Sequence, residues 1–217
     1  MIEGQGISIR GLSQAQRLSF PNFQFNLGEA IWVSGPSGSG KTAFLKALAG
    51  LAPIIQGCLN LNEVSLALNS RKAMALWRRH AGWVSSHPVF DREQDVRSQI
   101  ALPLQLCGIA PHQSQAKVQQ ILEDLHFFVA RHVTINQMRA SDVLLAALAR
   151  ALIHHPTVLL LDDCLSHLDP IATSQVLSYL QKRQSEGMIL VLAERNQPTV
   201  PFSLTEYPLL NHDESLV

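Results

Sequence analysis

Residues 30–51, AIWVSGPSGSGKTAFLKALAGL, decide how the rest of the chain is read. Ala30-Ile31-Trp32-Val33 is an apolar run of strand length. Gly35-Pro36-Ser37-Gly38-Ser39-Gly40-Lys41-Thr42 then fits the pattern G-x-x-x-x-G-K-[ST]. Thr42 to Leu51 has the apolar spacing of a helix, with Pro53 just past its end as a stop signal. A loop of this pattern between a strand and a helix is the context that marks a phosphate loop. Glycines let successive backbone N–H groups turn inward around phosphate oxygens, and the helix N-terminus adds positive potential. Lys41 is placed to reach the β and γ phosphates of a nucleotide, and the Thr42 hydroxyl to bind Mg²⁺.

Working outward, strand-like and helix-like stretches alternate. Gly57 to Leu61 reads as a short strand, Arg71 to His80 as a helix, and Trp83-Val84 as the start of another strand or loop. Residues 95–126 are helix-rich and interrupted at Pro103 and Pro111. Ser141 and Asp142 look like caps of a helix running to about His154. Thr157 to Leu161 is a fully buried strand by composition, residues 170–184 a helix, and residues 188–193 a second buried strand. This alternation implies an α/β fold with a parallel sheet covered on both faces, and roughly residues 65–140 read as a helical insertion.

The second chemical signal is the pair of acids ending TVLLLDD, residues 157–163. In phosphate-loop proteins an acid at the end of a neighbouring strand holds Mg²⁺, which assigns a metal role to Asp162 beside Thr42. Asp163 is the candidate to position or deprotonate a water. It is a methylene shorter than Glu, and a displacement of about 1 Å is costly in catalysis.

Composition narrows the classes. The 217 residues are 47% hydrophobic and 16% charged, with 17 Lys+Arg against 17 Asp+Glu. Such a chain buries a full core without metals or disulfides, and its low charge hints at surface covered by a partner. The zero net charge lacks the basic footprint of a dedicated nucleic-acid binder, so no nucleic-acid partner is expected. Cys58, Cys107 and Cys164 are far apart and odd in number, which points to a reducing compartment. No secretory segment and no run approaching about 18 apolar residues is present, so a membrane connection is expected to run through another protein.

The order phosphate loop, ALARAL (147–152), LLLDD, then Ser166-His167-Leu168-Asp169-Pro170 resembles the ATP-binding subunit of ABC transporters over nearly the whole chain. The resemblance implies a phosphate-loop NTPase with a mostly parallel sheet and a small antiparallel β subdomain. It also implies a single cassette domain over 1–217, with a helical subdomain inserted at about 85–150. It implies ATP and Mg²⁺ as ligands and a dimer, either of two copies or with another ABC ATPase. It further implies an integral-membrane subunit docked at about 84–107, and a cytoplasmic position, peripheral on the inner membrane. AGWVSSHPVF (81–90) and IALPLQLCG (100–108) are similar to the region these ATPases use against membrane subunits. The short chain suggests the subfamilies serving lipid trafficking, lipoprotein release or cell division. Asp169 belongs to a segment that, by resemblance, crosses the dimer interface.

Measured against that family, several positions differ. The Gln that touches Mg²⁺ and the attacking water falls on Ser86. The LSGGQ segment falls on Met138-Arg139-Ala140-Ser141-Asp142. Asp163 stands for Glu, and Cys164 for Pro. The adenine-stacking aromatic expected near residue 11 is replaced by Arg10-Gly11-Leu12. The His that contacts the γ-phosphate falls on Glu194, or on Arg195 if the register slips by one. A carboxylate about 4 Å from a phosphate charge is repelled by about 4 kcal/mol at an effective dielectric of 20. Glu194 must therefore be a solvated strand-end acid, turn away, or pair with a cation such as Lys41. These differences predict slow or absent ATP hydrolysis. The alternatives are a non-catalytic nucleotide-binding or scaffold subunit and, further off, a soluble phosphate-loop kinase. Cys164 reads as a small neutral filler, Trp77 and Trp83 as core or partner-facing anchors, and Arg71, Arg78 and Arg79 as a solvated helix face. None of the histidines, His154-His155 included, has a metal-ligand context.

Overall fold

The computed structural model describes residues 1–11, 17–62, 64–65, 71–130 and 132–209, without the side chains of Val64 and Arg71. Leu12, one of the residues standing where an adenine-stacking aromatic is expected, lies outside them. Three short-range strands come first, β1 (Ile2–Arg10), β2 (Arg17–Ser19) and β3 (Phe23–Phe25), before β4 (Ala30–Ser34). The phosphate loop leads into α1 (Lys41–Leu48), followed by β5 (Ile54–Leu61), β6 (Val64–Ser65), α2 (Arg71–Arg78) and β7 (Ala81–Ser85). Three helices follow, α3 (Val96–Leu106), α4 (Pro111–Asp124) and α5 (Ala140–Leu152). β8 (Val158–Asp162), α6 (Pro170–Ser185), β9 (Ile189–Ala193) and β10 (Thr205–Pro208) complete the described chain.

The strands form two sheets. One has the order β10-β4-β9-β8-β7, with every pairing parallel. The other has the order β2-β1-β5-β6, with β3 also paired to β1, and is antiparallel throughout. The expected α/β class with a parallel sheet and a small antiparallel part is therefore the observed one.

The period-two alternation of β8 and β9 explains how the parallel sheet is buried on both faces. Val158, Leu160, Ile189 and Val191 pack with α1 and the antiparallel sheet, through Phe44, Leu48, Ile2 and Leu59. Leu159, Leu161, Leu190 and Leu192 pack on the other face with the helices, through Leu148, Val176 and Leu180. Neither strand has a polar face to give to water, so each reads in sequence as an unbroken apolar run.

Element ends differ from the sequence reading for local reasons. α1 stops at Leu48, short of Pro53, because Gly50 adopts φ +65° and closes a left-handed C-cap, with Leu51 N–H donating to Lys46 C=O at 2.8 Å. Pro103 does not interrupt its segment; it lies inside α3. Loss of one helical donor there is offset by the burial of Ile100, Ala101 and Leu104 on the same helix. Pro111 opens α4, where a missing N–H costs nothing. Ser141 and Asp142 are not caps: the cap position is Arg139, with no side-chain bond, and Asp142 sits in the first turn of α5, where a carboxylate favours the helix dipole.

Trp77 is fully buried, and its indole Nε1–H donates to Leu48 C=O at 2.7 Å, joining α2 to the end of α1. Arg78 adds Nε and Nη2 donors to Gly50 C=O at 3.0 and 2.8 Å, so this arginine clamps the same turn and does not simply line a solvated face. Trp77→Phe keeps most of the apolar contact and orphans the Leu48 carbonyl. We expect it to lower unfolding free energy by about 1–3 kcal/mol in urea titration while far-UV circular dichroism stays unchanged.

Candidate functional site

The parallel strands β4, β9, β8 and β7 end on one edge of the sheet, and the candidate phosphate-loop and acid residues follow those ends. β4 delivers the loop Gly35-Pro36-Ser37-Gly38-Ser39-Gly40. Gly35 lies against β10, where an added Cβ would collide with the Leu209 carbonyl oxygen. Gly40 caps α1 at φ +91°, a conformation that favours glycine. No side chain caps α1, so the first-turn N–H groups at Lys41 and Thr42 are left for a ligand. An added Cβ at Gly38 meets no atom within 4 Å, so the loop faces open space there. The Ser39 hydroxyl is buried without a hydrogen-bond partner. The Lys41 ammonium donates to Gly35 C=O at 2.5 Å and Pro36 C=O at 2.9 Å, folded back along the loop. Burial pushes the Lys41 pKa down, while Asp162 and Asp163 oppose that shift.

β8 delivers the acids. The Thr42 hydroxyl donates to Asp162 Oδ1 at 3.0 Å, so the two residues assigned to one Mg²⁺ already touch. Burial raises the Asp162 pKa, with the Thr42 hydrogen bond working against it. This donor set, a hydroxyl and a carboxylate beside an orphaned loop hydroxyl and an ammonium, fits a nucleotide phosphate with its Mg²⁺. Asp163 adopts φ +52°, and its N–H donates to Ala193 C=O at 2.8 Å. Its carboxylate is engaged on both oxygens: Ser166 Oγ is 3.5 Å from Oδ1 and Arg195 Nε is 3.5 Å from Oδ2.

β9 settles the Glu194 alternatives. Glu194 is not solvated and does not pair with Lys41; it is 4% exposed and turned beneath the acid loop. Its Oε1 accepts the N–H groups of Cys164 and Leu165, both at 2.9 Å. Burial raises its pKa, with those two donors pulling the other way. Arg195, 85% exposed, is the cation beside Asp163. Cys164 is fully buried, and its thiol donates to Val84 C=O at 3.3 Å, as a filler between strands.

A family model described as ABC transporter matches residues 18–166. The chain belongs to the ABC transporter family. It is 30% identical over 184 residues to the methionine import ATP-binding protein MetN of Latilactobacillus sakei subsp. sakei (strain 23K), covering 84% of this chain and 54% of that protein. It is 30% identical over 154 residues to MetN 2 of Paraburkholderia xenovorans (strain LB400), covering 71% of this chain and 40% of that protein. The chain thus spans about half the length of these curated relatives. In fold it is similar to the bacterial ABC transporter cassette MJ0796, solved as a dimer, with TM-score 0.86, 19% identity and coverage of 97% of this chain and 95% of that one. CbiO1 from Clostridium perfringens, described as part of the ABC transporter complex cbiONQ, has TM-score 0.74 and 20% identity, covering 90% of this chain and 78% of that one.

Within this ABC chain, the apolar run Ile100-Ala101-Leu102-Pro103-Leu104, part of the stretch expected to dock a membrane subunit, gives most of its side chains to the core. Ile100, Ala101 and Leu104 are buried, Pro103 is half-buried, and Leu102 and, beyond the run, Leu106 are the large apolar side chains that reach solvent. Sequence reading missed three features of the site: the Glu194 anchor, the engagement of Asp163 by Arg195 and Ser166, and the Ser34 hydroxyl donating to Glu206 at 2.5 Å beneath the phosphate loop. Glu206 carried no local signal, because its partner lies on a strand distant in sequence.

Glu194 gives a test of the anchor. Glu194→Ala orphans two buried N–H groups and should cost about 1–3 kcal/mol. Glu194→Gln keeps the accepting oxygen and mimics the neutral acid. A carboxyl whose folded pKa is raised contributes stability below its unfolded pKa and loses it as pH rises through the folded value. The stability of Glu194→Gln relative to the native chain should therefore improve as pH rises from 4 to 7 in thermal melts.

Proposed function

We propose that this chain is the ATP-binding subunit of a membrane ABC complex, binding Mg-ATP through residues 35–42 and hydrolysing it slowly. The observation that carries the reading is the contact between Thr42 and Asp162 beside a loop that opens to free space at Gly38, with the Lys41 ammonium folded along it. A bound Mg²⁺ would supply neutralisation of phosphate charge. The chain's own part is to cradle phosphates with the loop N–H groups, to offer the Lys41 ammonium in place of its two carbonyl contacts, and to hold the cation between Thr42 and Asp162.

Slow turnover is supported by residues rather than by composition. Phosphoryl transfer depends on positioning water and stabilising charge. Asp163 is short and already engaged, Ser86 lacks the reach of Gln, and Glu194 is committed to the backbone. Met138 to Asp142 replaces the segment that would meet the partner's γ-phosphate. Each such loss is worth about 10²–10³ in rate, without additivity among residues acting as one unit.

We read the chain as one cassette with a helical subdomain at about 85–150, formed by α3–α5 between β7 and β8. It would sit on the cytoplasmic face of the inner membrane, paired with a second copy or another ABC ATPase. No helix among the described residues is long and apolar enough to cross a membrane, so the membrane connection runs through a docked subunit. Val89, Leu102 and Leu106, exposed at 84%, 45% and 76%, support docking at about 84–107. Transport assays with labelled methionine and with lipid cargo separate the methionine import in the relatives' names from the lipid-related reading. A non-catalytic subunit is the second reading, favoured by the engaged Asp163.

Lys41→Ala should weaken binding of a fluorescent ATP analogue at least tenfold, while unchanged affinity removes the loop from this reading. The isolated chain should release phosphate more slowly than about 1 s⁻¹, the lower end of ordinary enzyme turnover. Ser86→Gln combined with Asp163→Glu and a rebuilt 138–142 segment should raise that rate, with Glu194 left in place as anchor. Zero release in both chains selects the non-catalytic reading.

A further inference from the structure

Two Ser–His pairs meet at the end of the parallel sheet. Ser86 follows β7, and its N–H donates to Asp162 C=O at 3.0 Å, which sets His87 beside the acid that touches Thr42. His167 ends the turn Leu165–His167, the turn whose start Glu194 holds. The two imidazoles face each other with centroids 6.2 Å apart and planes at 66°. In each pair the serine hydroxyl sits on the following ring's Nδ1: Ser86 on His87 at 3.0 Å and Ser166 on His167 at 3.1 Å. Both rings are exposed.

We propose that His87 and His167 together contact the terminal phosphate of the nucleotide bound at 35–42, supplying the hydrogen-bonding reach that Ser86 lacks; this rests on the phosphate-loop reading. A phosphate oxygen only accepts, so its partners must donate. With the Ser86 hydroxyl donating to His87 Nδ1, and the Ser166 hydroxyl donating to His167 Nδ1 in place of its longer 3.5 Å contact with Asp163, each neutral ring carries its proton on Nε2 and presents a donor edge. The other polar groups nearby are already committed. Ser86 Oγ is spent on His87, Asp163 is paired with Arg195, and Glu194 is spent on two backbone N–H groups. The imidazole of His87 has a reach comparable to the glutamine side chain absent one residue earlier. Two exposed rings contribute little to the core, so their placement around the acid pair at the end of β8 is not needed for folding.

The test uses the full chain with Mg²⁺ and either ADP or a non-hydrolysable ATP analogue. His87→Ala with His167→Ala should weaken the analogue about tenfold, equivalent to about 1.4 kcal/mol, while ADP affinity changes less than about twofold. His87→Gln, which retains a donor, should recover part of the loss. In the native chain, the imidazole ¹⁵N signals of both histidines should move with the analogue and not with ADP. Equal weakening for both nucleotides, no weakening, or unmoved imidazole signals overturns the proposal. If the native chain binds neither nucleotide, the phosphate-loop reading fails first and takes this assignment with it. If native ADP binding stands and only the analogue preference is absent, the histidine assignment alone fails.

Discussion

The parallel register of β4, β9 and β8 is the constraint on which the site depends. Parallel neighbours end on the same edge of a sheet, so segments far apart in sequence emerge side by side. The loop after β4, the acids after β8, the Glu194–Arg195 pair after β9 and Ser86 after β7 all emerge there. Thr42 and Asp162 touch because β9 spaces β4 from β8, with Ile31 opposite Val191 and Leu160 opposite Val191. The register is secured by alternating side chains buried on both faces, since a slip of one residue would exchange the two cores.

Around that edge, charge is organised by commitment. Lys41 is folded onto two carbonyls, Asp162 onto a hydroxyl, Asp163 between Arg195 and Ser166, and Glu194 onto two backbone donors. Burial opposes the charged forms of Lys41, Asp162 and Glu194 alike, and each answers with hydrogen bonds or a nearby opposite charge. The ligand's phosphates would replace the internal partners of Lys41, whereas Glu194 has no such exchange open to it. Its two bonds are to buried backbone groups that have no water to fall back on. Glu194 is thus part of the scaffold that holds the turn after β8.

The phosphate loop, the acid pair and the parallel class were legible because each is a local pattern with a local cause. Glycines are needed where the backbone turns around an anion, an unbroken apolar run marks a strand buried on both faces, and an acid must end such a run to reach a cation. Helix ends were less legible. Gly50 stops α1 before Pro53 can, and Pro103 is carried inside α3 by the burial of its neighbours. β1 and β10 escaped because bulges break the alternation of one and the other exposes most of its residues.

The chain by itself determined that a glycine-rich loop would join a strand to a helix at residues 35–40 and that a carboxylate pair would end a buried strand, since backbone sterics and two-faced burial act within a few residues. Only the tertiary structure decided which of Glu194 and Arg195 faces the acids, that Asp163 is engaged on both oxygens, and that His87 and His167 stand ring to ring. Those outcomes depend on which side of a strand end a side chain leaves and on the donors packed there. Glu194 turned inward because two unpaired N–H groups lay within its reach, and no pattern in the sequence around residue 194 contains residues 164 and 165.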